Sequence, residues 1–147
     1  DLVRSRGLGD VYKRQVMKID KALFDSVSAE AVKSPRLRMA RDMRTTPQDN
    51  SQRMLNAIEP GTELPIHRHR TSTETCIVLR GAAEEIFYDG NGNETERVVM
   101  RPSSDCCGVN IEVGRWHKIV SLEPGTVIIE AKDGSYEPTS PEDILNA

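Results

Sequence analysis

The sequence predicts an all-β sandwich or barrel preceded by one helix. Three observations carry this expectation. Ile19, Leu23, Val27 and Ala31 recur every four residues, which is a helical stripe. From Leu37 onward the apolar period drops to two. Turn-forming residues then punctuate the chain every 8 to 12 residues: "DGNGN" at 89–93, "RPSSD" at 101–105, Gly114 and "EPG" at 123–125.

The elements follow in order. Asp20 can accept the first free N–H groups of a helix over residues 21–33, and Pro35 stops it. In "RLRMARDM", Leu37, Met39 and Met43 alternate with polar residues and read as a strand, followed by "SQRMLNAIE". Further strands are expected near 65–69, 74–80, 84–89, 94–101, 108–113, 116–121 and 126–132. "DGNGN" between "EEIFY" and "ETERVVM" signals a hairpin, because Gly and Asn tolerate positive φ. Ser140, with Asp143 three residues on, suggests a short last helix containing Ile144 and Leu145. Residues 1–16 have no periodicity and read as a non-native or disordered leader. The expected organisation is therefore a helical segment over 17–35, a barrel over 36–138 and a tail with a short helix over 139–147.

Composition narrows the function. The net charge is −3, and it is −5 without residues 1–16, so a nucleic-acid binder is not expected. No apolar run is long enough to insert into a membrane, and no secretory signal is expected. Cys76, Cys106 and Cys107 are an odd number with two adjacent, a poor disulfide framework, so a reducing, cytoplasmic setting is expected. The 14 Arg against 6 Lys suit recognition of a small anion, although arginine is also an ordinary surface residue.

One stretch, "GTELPIHRHRTSTETCIVLRG" at 61–81, carries the chemistry. On a strand, His67 and His69 project to one face while Arg68 points away. Two imidazoles can grip a metal ion, but two are too few to hold it. Glu74 opens the next predicted strand and can return to the same ion, and His117 in "GRWH" is the fourth candidate. All three histidines of the chain fall in this set. Three nitrogens and one oxygen suit one divalent ion, Fe, Mn, Ni, Zn or Co.

The spacing resembles a known family. Gly61, five residues, His67, one residue, His69, four residues, Glu74, six residues and Gly81 match the first cupin motif at every fixed position. The second motif is met at Gly114 and His117, but Glu112 stands where proline is usual and Ser121 where asparagine is usual. Within the superfamily, "SPRLRMA", "QRMLNAIEPGT", "GRWHKIVSLEPG" and "EAKDGSYEP" resemble the WbuC-type cupin-fold metalloproteins, associated with bacterial O-antigen (lipopolysaccharide) clusters. The resemblance implies a small cupin, a double-stranded β-helix or jelly-roll barrel, with one N-terminal helix and a short C-terminal one. It implies a metal and a pathway context, not a substrate.

Further residues are candidates for the ligand. Arg38 and Arg53 could read a phosphate or carboxylate, or discourage edge-to-edge association. Cys76, two residues after Glu74, should face inward as a further ligand, a redox-sensitive thiol or, as free cysteine usually does, a small buried hydrophobe. Trp116, next to His117, should face the opposite way and pack. Two functions are open: an enzyme on a sugar or sugar nucleotide, isomerase/epimerase- or dioxygenase-like, and a non-catalytic or regulatory cupin that binds such a ligand. An unligated general base near the metal would favour the enzyme, and Glu130 and Tyr88 are the candidates. The expected partner is a small anionic sugar-type molecule, and an exposed sheet edge leaves room for a homodimer.

Overall fold

A computed structural model describes residues 16–145. The expected leader lies outside the described residues but for Val16. Asp20 accepts the Leu23 N–H at 3.0 Å and opens helix α1, Lys21–Lys33. Val27 and Ala31 are buried and Leu23 packs beside them, as the period of four predicts. Ile19 does not join them; it precedes the cap, where the helical period no longer applies, and is 46% exposed.

Ten strands follow: β1 Arg38–Asp42, β2 Ser51–Ile58, β3 Ile66–His67, β4 Glu74–Arg80, β5 Ala83–Tyr88, β6 Glu94–Met100, β7 Gly108–Ile111, β8 Trp116–Ser121, β9 Thr126–Asp133 and β10 Ile144–Leu145. They form two antiparallel five-stranded sheets, ordered β1-β2-β9-β4-β7 and β10-β3-β8-β5-β6. Alternation gives each sheet an inner and an outer face. Inner-face Ile58, Cys76, Val78, Ala83, Met100, Ile119 and Ile128 make the core between the sheets. On the outer face of the first sheet, Leu55, Ala57 and Val127 pack against Val27 and Ala31 of α1. Arg80 ties that helix down through Asp25, Ser28 and the Gly125 carbonyl. This is the small cupin jelly roll with one N-terminal helix.

Two expected elements differ. The strand expected over 65–69 is only two residues long, because beyond His67 the chain pairs with loop groups: the Arg68 N–H donates to the Asp143 carbonyl and the Gly114 N–H to that of His69. The expected last helix is a 3-10 turn, Pro141–Asp143, without a side-chain cap. Ile144 and Leu145 instead pair with His67 and Ile66, which extends the barrel past residue 138. The "DGNGN" hairpin forms, with Asp89 and Asn93 closing it and Gly92 at φ +84°. Among the described residues, no helix is long and apolar enough to cross a membrane.

Candidate metal centre

Four side chains meet at one end of the barrel. β3 and β8 place His67 directly opposite His117, so both rings project inward, with centroids 4.4 Å apart. His69 comes off the segment fixed by Gly114, whose φ of +82° makes the turn into β8 with Glu112 at its start. The turn thus forms without the usual proline. Glu74 starts β4 on the inner face, opposite Ile111 on β7. One ligand atom from each of His67, His69, Glu74 and His117 lies within 4.8 Å of the others.

The contacts fit a divalent ion. Atoms each about 2.0–2.2 Å from one ion stand some 3 Å apart. Glu74 Oε1 lies 3.0 Å from His69 Nε2 and 3.3 Å from His117 Nε2. The His69 contact is out of line for a hydrogen bond, so its buried Nε2 has no hydrogen-bond partner among the described residues. His67 Nδ1 faces the Pro65 carbonyl at 3.1 Å and His117 Nδ1 faces that of Arg115 at 2.8 Å. A carbonyl can only accept, so those nitrogens carry protons and Nε2 is the nitrogen left to face a metal, the usual orientation of a metal-binding histidine; without a metal, the His117 Nε2–H donates to Glu74.

The charges agree with this. Burial, then the neighbouring His117, pushes the His67 pKa down to about 4, so its ring is neutral at neutral pH. Burial opposes charge on His117, but Glu74 outweighs it and raises that pKa. Burial likewise opposes a charged Glu74, yet hydrogen bonding with Glu130 and His117 holds its carboxyl well below the usual range. Glu130 is the counterpart: burial and the Glu74 charge push it well above the carboxylate range, and Asn56 donates to its Oε1 at 2.6 Å.

The other candidates are scattered. Glu130 stands opposite Cys76, one inner-face position below Glu74, and so lies beside the cluster. Cys76 is wholly buried among Ile58, Val78 and Ile128; burial pushes its thiol well up, and it packs as a hydrophobe. Tyr88 pairs with Trp116 on the outer face, because Phe87 takes the inward position opposite His117. Arg68 stacks on Trp116 with its guanidinium 4.5 Å from the ring centre, away from the cluster. Arg53 lies on the outer face and clamps Asp49, Ser51 and Met43. Among the described residues, Arg38 donates only to the Glu63 carbonyl, at 3.4 Å on the edge strand. Ser121, at the usual asparagine position, donates to the Glu123 carbonyl.

Two inner-face residues escaped the sequence reading. Glu85 is 2% exposed, opposite Ile119 and diagonal to His117; burial, opposed by His117 and reinforced by Glu74, raises its pKa to about 8. Its signal was the phase of "AEEIFY": Ala83, Glu85 and Phe87 share the inner face. Lys132 stands opposite Glu74. It lines a cavity of about 290 Å³ that His69 and tail residues between Ser135 and Asp143 also border.

Comparisons with known proteins agree with this fold. CapF from Staphylococcus aureus, a capsular polysaccharide assembling protein, is 28% identical with a TM-score of 0.55, over 72% of this chain. The chain spans only 28% of the CapF chain. KdgF from Halomonas sp. is 16% identical with a TM-score of 0.54, over 86% of this chain and 93% of that one. A cupin 2 domain-containing protein from Halorhodospira halophila is 18% identical with a TM-score of 0.55, over 70% and 68% of the two chains. No curated protein matches the sequence. Residues 19–100, more than half of the chain, match the family described as "Domain of unknown function (DUF6016)". The chain belongs to that family, and it folds as a cupin.

Proposed function

We propose that this chain is a metal-dependent cupin enzyme acting on a small anionic sugar-type molecule in bacterial surface-polysaccharide assembly. The observation that carries the proposal is the convergence of His67, His69, Glu74 and His117, with a buried His69 nitrogen that has no other partner. These four residues are the proposed ligands of one divalent ion. When bound, the ion would act as a Lewis acid on a carbonyl or hydroxyl oxygen of the substrate. Similarity to CapF supports the polysaccharide context, as does the resemblance to WbuC-type proteins. The free thiols of Cys76, Cys106 and Cys107 support a reducing compartment.

The chain's own carboxyls favour proton-transfer chemistry, isomerisation or epimerisation, over binding alone. Glu130 is hydrogen-bonded beside Glu74 and is not one of the four ligands. In this reading its carboxylate form takes a proton from a carbon of the sugar, and the acid form so made returns a proton to that carbon or its neighbour. Glu85, with a pKa near 8, keeps its own proton near neutral pH and is a second neutral acid deeper in the barrel. Asn56 fixes the Glu130 carboxyl for the transfer. The test is hydrogen exchange in D2O: metal-loaded protein is incubated with sugar phosphates, uronates and nucleotide sugars, and the recovered sugar is weighed by mass spectrometry. Deuterium should enter a carbon position in the presence of wild-type protein and not with Glu130→Gln. A sugar that binds tightly with neither exchange nor product would establish the non-catalytic binding cupin instead.

A further inference from the structure

Lys132 is a cation on the inner face of the barrel with no assigned role. It stands on β9 directly opposite Glu74 on β4, so both side chains leave the sheet on the same side. Its other cross-strand neighbour is Gln52, whose amide is turned to the carbonyls of Asp133, Gly134 and Ser135 at 3.2–3.4 Å. Asp143, a carboxylate that lines the same cavity, is taken: its Oδ1 accepts from Arg68 Nε at 2.8 Å and Arg70 Nε at 2.6 Å. Among the described residues, half-buried Lys132 forms neither an ion pair nor a hydrogen bond, and its charge reaches Glu130 only through space. A cation held partly out of water without a partner is costly, and an anion from outside relieves that cost.

The surrounding cavity says how large the anion's carrier is. At about 290 Å³ it lies at the floor of the range of roughly 300–1,000 Å³ usual for small-molecule sites. Its wall offers the hydroxyls of Thr71, Ser135, Tyr136 and Thr139, which suit a polyhydroxylated ligand. His69 borders it, so a ligand there reaches the edge of the metal centre.

We infer that Lys132 and this cavity form the anion subsite of the metal centre, holding the carboxylate or phosphate of one monosaccharide-sized acid and excluding nucleotide sugars. The inference rests on the metal-centre reading and sharpens it. It depends on placement: Lys132 enters the barrel one strand from Glu74, and the tail lines one side of a space the size of a single ring.

Titration calorimetry of the metal-loaded full chain tests it, with glucuronate, glucose 6-phosphate, neutral glucose and UDP-glucose as probes. At least one of the two charged monosaccharides should bind, more tightly than glucose or UDP-glucose; which one binds identifies the anion. Lys132→Met should weaken that binding about ten- to a hundredfold, the loss of one charge-assisted hydrogen bond. Lys132→Arg should restore most of it, and metal content should be unchanged in both variants. Undiminished affinity in Lys132→Met, tighter binding of UDP-glucose, or binding of neither acid by metal-loaded protein would overturn the inference. A wild-type protein that takes up no metal would fail the metal-centre reading instead, and elemental analysis separates the two cases.

Discussion

Replacing Glu85 by glutamine should change how stability depends on pH. In the unfolded chain a glutamate loses its proton near pH 4.5; in the folded barrel Glu85 keeps it until about pH 8. Between those values the folded state binds the extra proton, so stability falls as pH rises. Its full contribution is present below the unfolded value and is lost through the folded one. A tenfold change in proton affinity is worth about 1.4 kcal/mol, so the loss between pH 4 and pH 9 reaches up to about 5 kcal/mol. About two-thirds of it, some 3 kcal/mol, has accrued by pH 7. A glutamine side chain has no such ionisation, so Glu85→Gln should gain on wild type steadily as pH rises. The assay is urea unfolding of metal-free protein at pH 5, 7 and 8.5. Packing losses from the substitution shift the variant's curve by a constant and leave the pH-dependent difference intact. Parallel pH profiles for the two proteins would refute the reasoning. Metal loading should also shrink the wild-type slope, because a dication at the barrel end favours the Glu85 carboxylate.

Other expectations follow from the packing and the site. Leu55→Ala, beneath α1 and fully buried, should cost about 2–5 kcal/mol in urea unfolding; a loss below about 1 kcal/mol would contradict its place in that core. Gly81→Ala should cost about 2–4 kcal/mol, since φ is +82° and a Cβ would stand 2.8 Å from Thr126 Cα; an unchanged midpoint would contradict that close approach. Chelation should lower the melting temperature of metal-loaded wild type, and it should leave Glu74→Gln nearly unaffected. An equal drop in the variant would place the stabilising metal elsewhere.

Sequence reading reached the candidate metal ligands because their spacing is local. His67, His69 and Glu74 lie within eight residues, and alternation fixes their shared face. His117 was legible for a different reason: it is the third of three histidines, next to a turn glycine. Strand register between distant segments was not legible. Nothing in the one-dimensional pattern says that β9 lies beside β4, so the pairing of Lys132 with Glu74 and of Glu130 with Cys76 had no signal. For Glu85 a signal existed but was ambiguous: adjacent Glu84 and Glu85 cannot both face inward, and only the partner strand sets the phase. The tail was misjudged for a physical reason. Ser140 and Asp143 have the spacing of a helix start, but Asp143 is drawn to Arg68 and Arg70, and Ile144 and Leu145 gain more by pairing with β3 than by continuing a helix. Arg38 and Arg53 were singled out by residue type alone, and type does not reveal that β1 is an edge strand or that Arg53 faces outward.

The central claim is that these four side chains hold one divalent ion, and metal content measures it most directly. Wild-type protein saturated with Mn, Fe, Co, Ni or Zn and then desalted should retain about one ion per chain of at least one of these metals. The double variant His67→Ala/His69→Ala, still folded by circular dichroism, should retain almost none. Equal occupancy in the two proteins, or none in wild type under any of the five metals, would contradict the account.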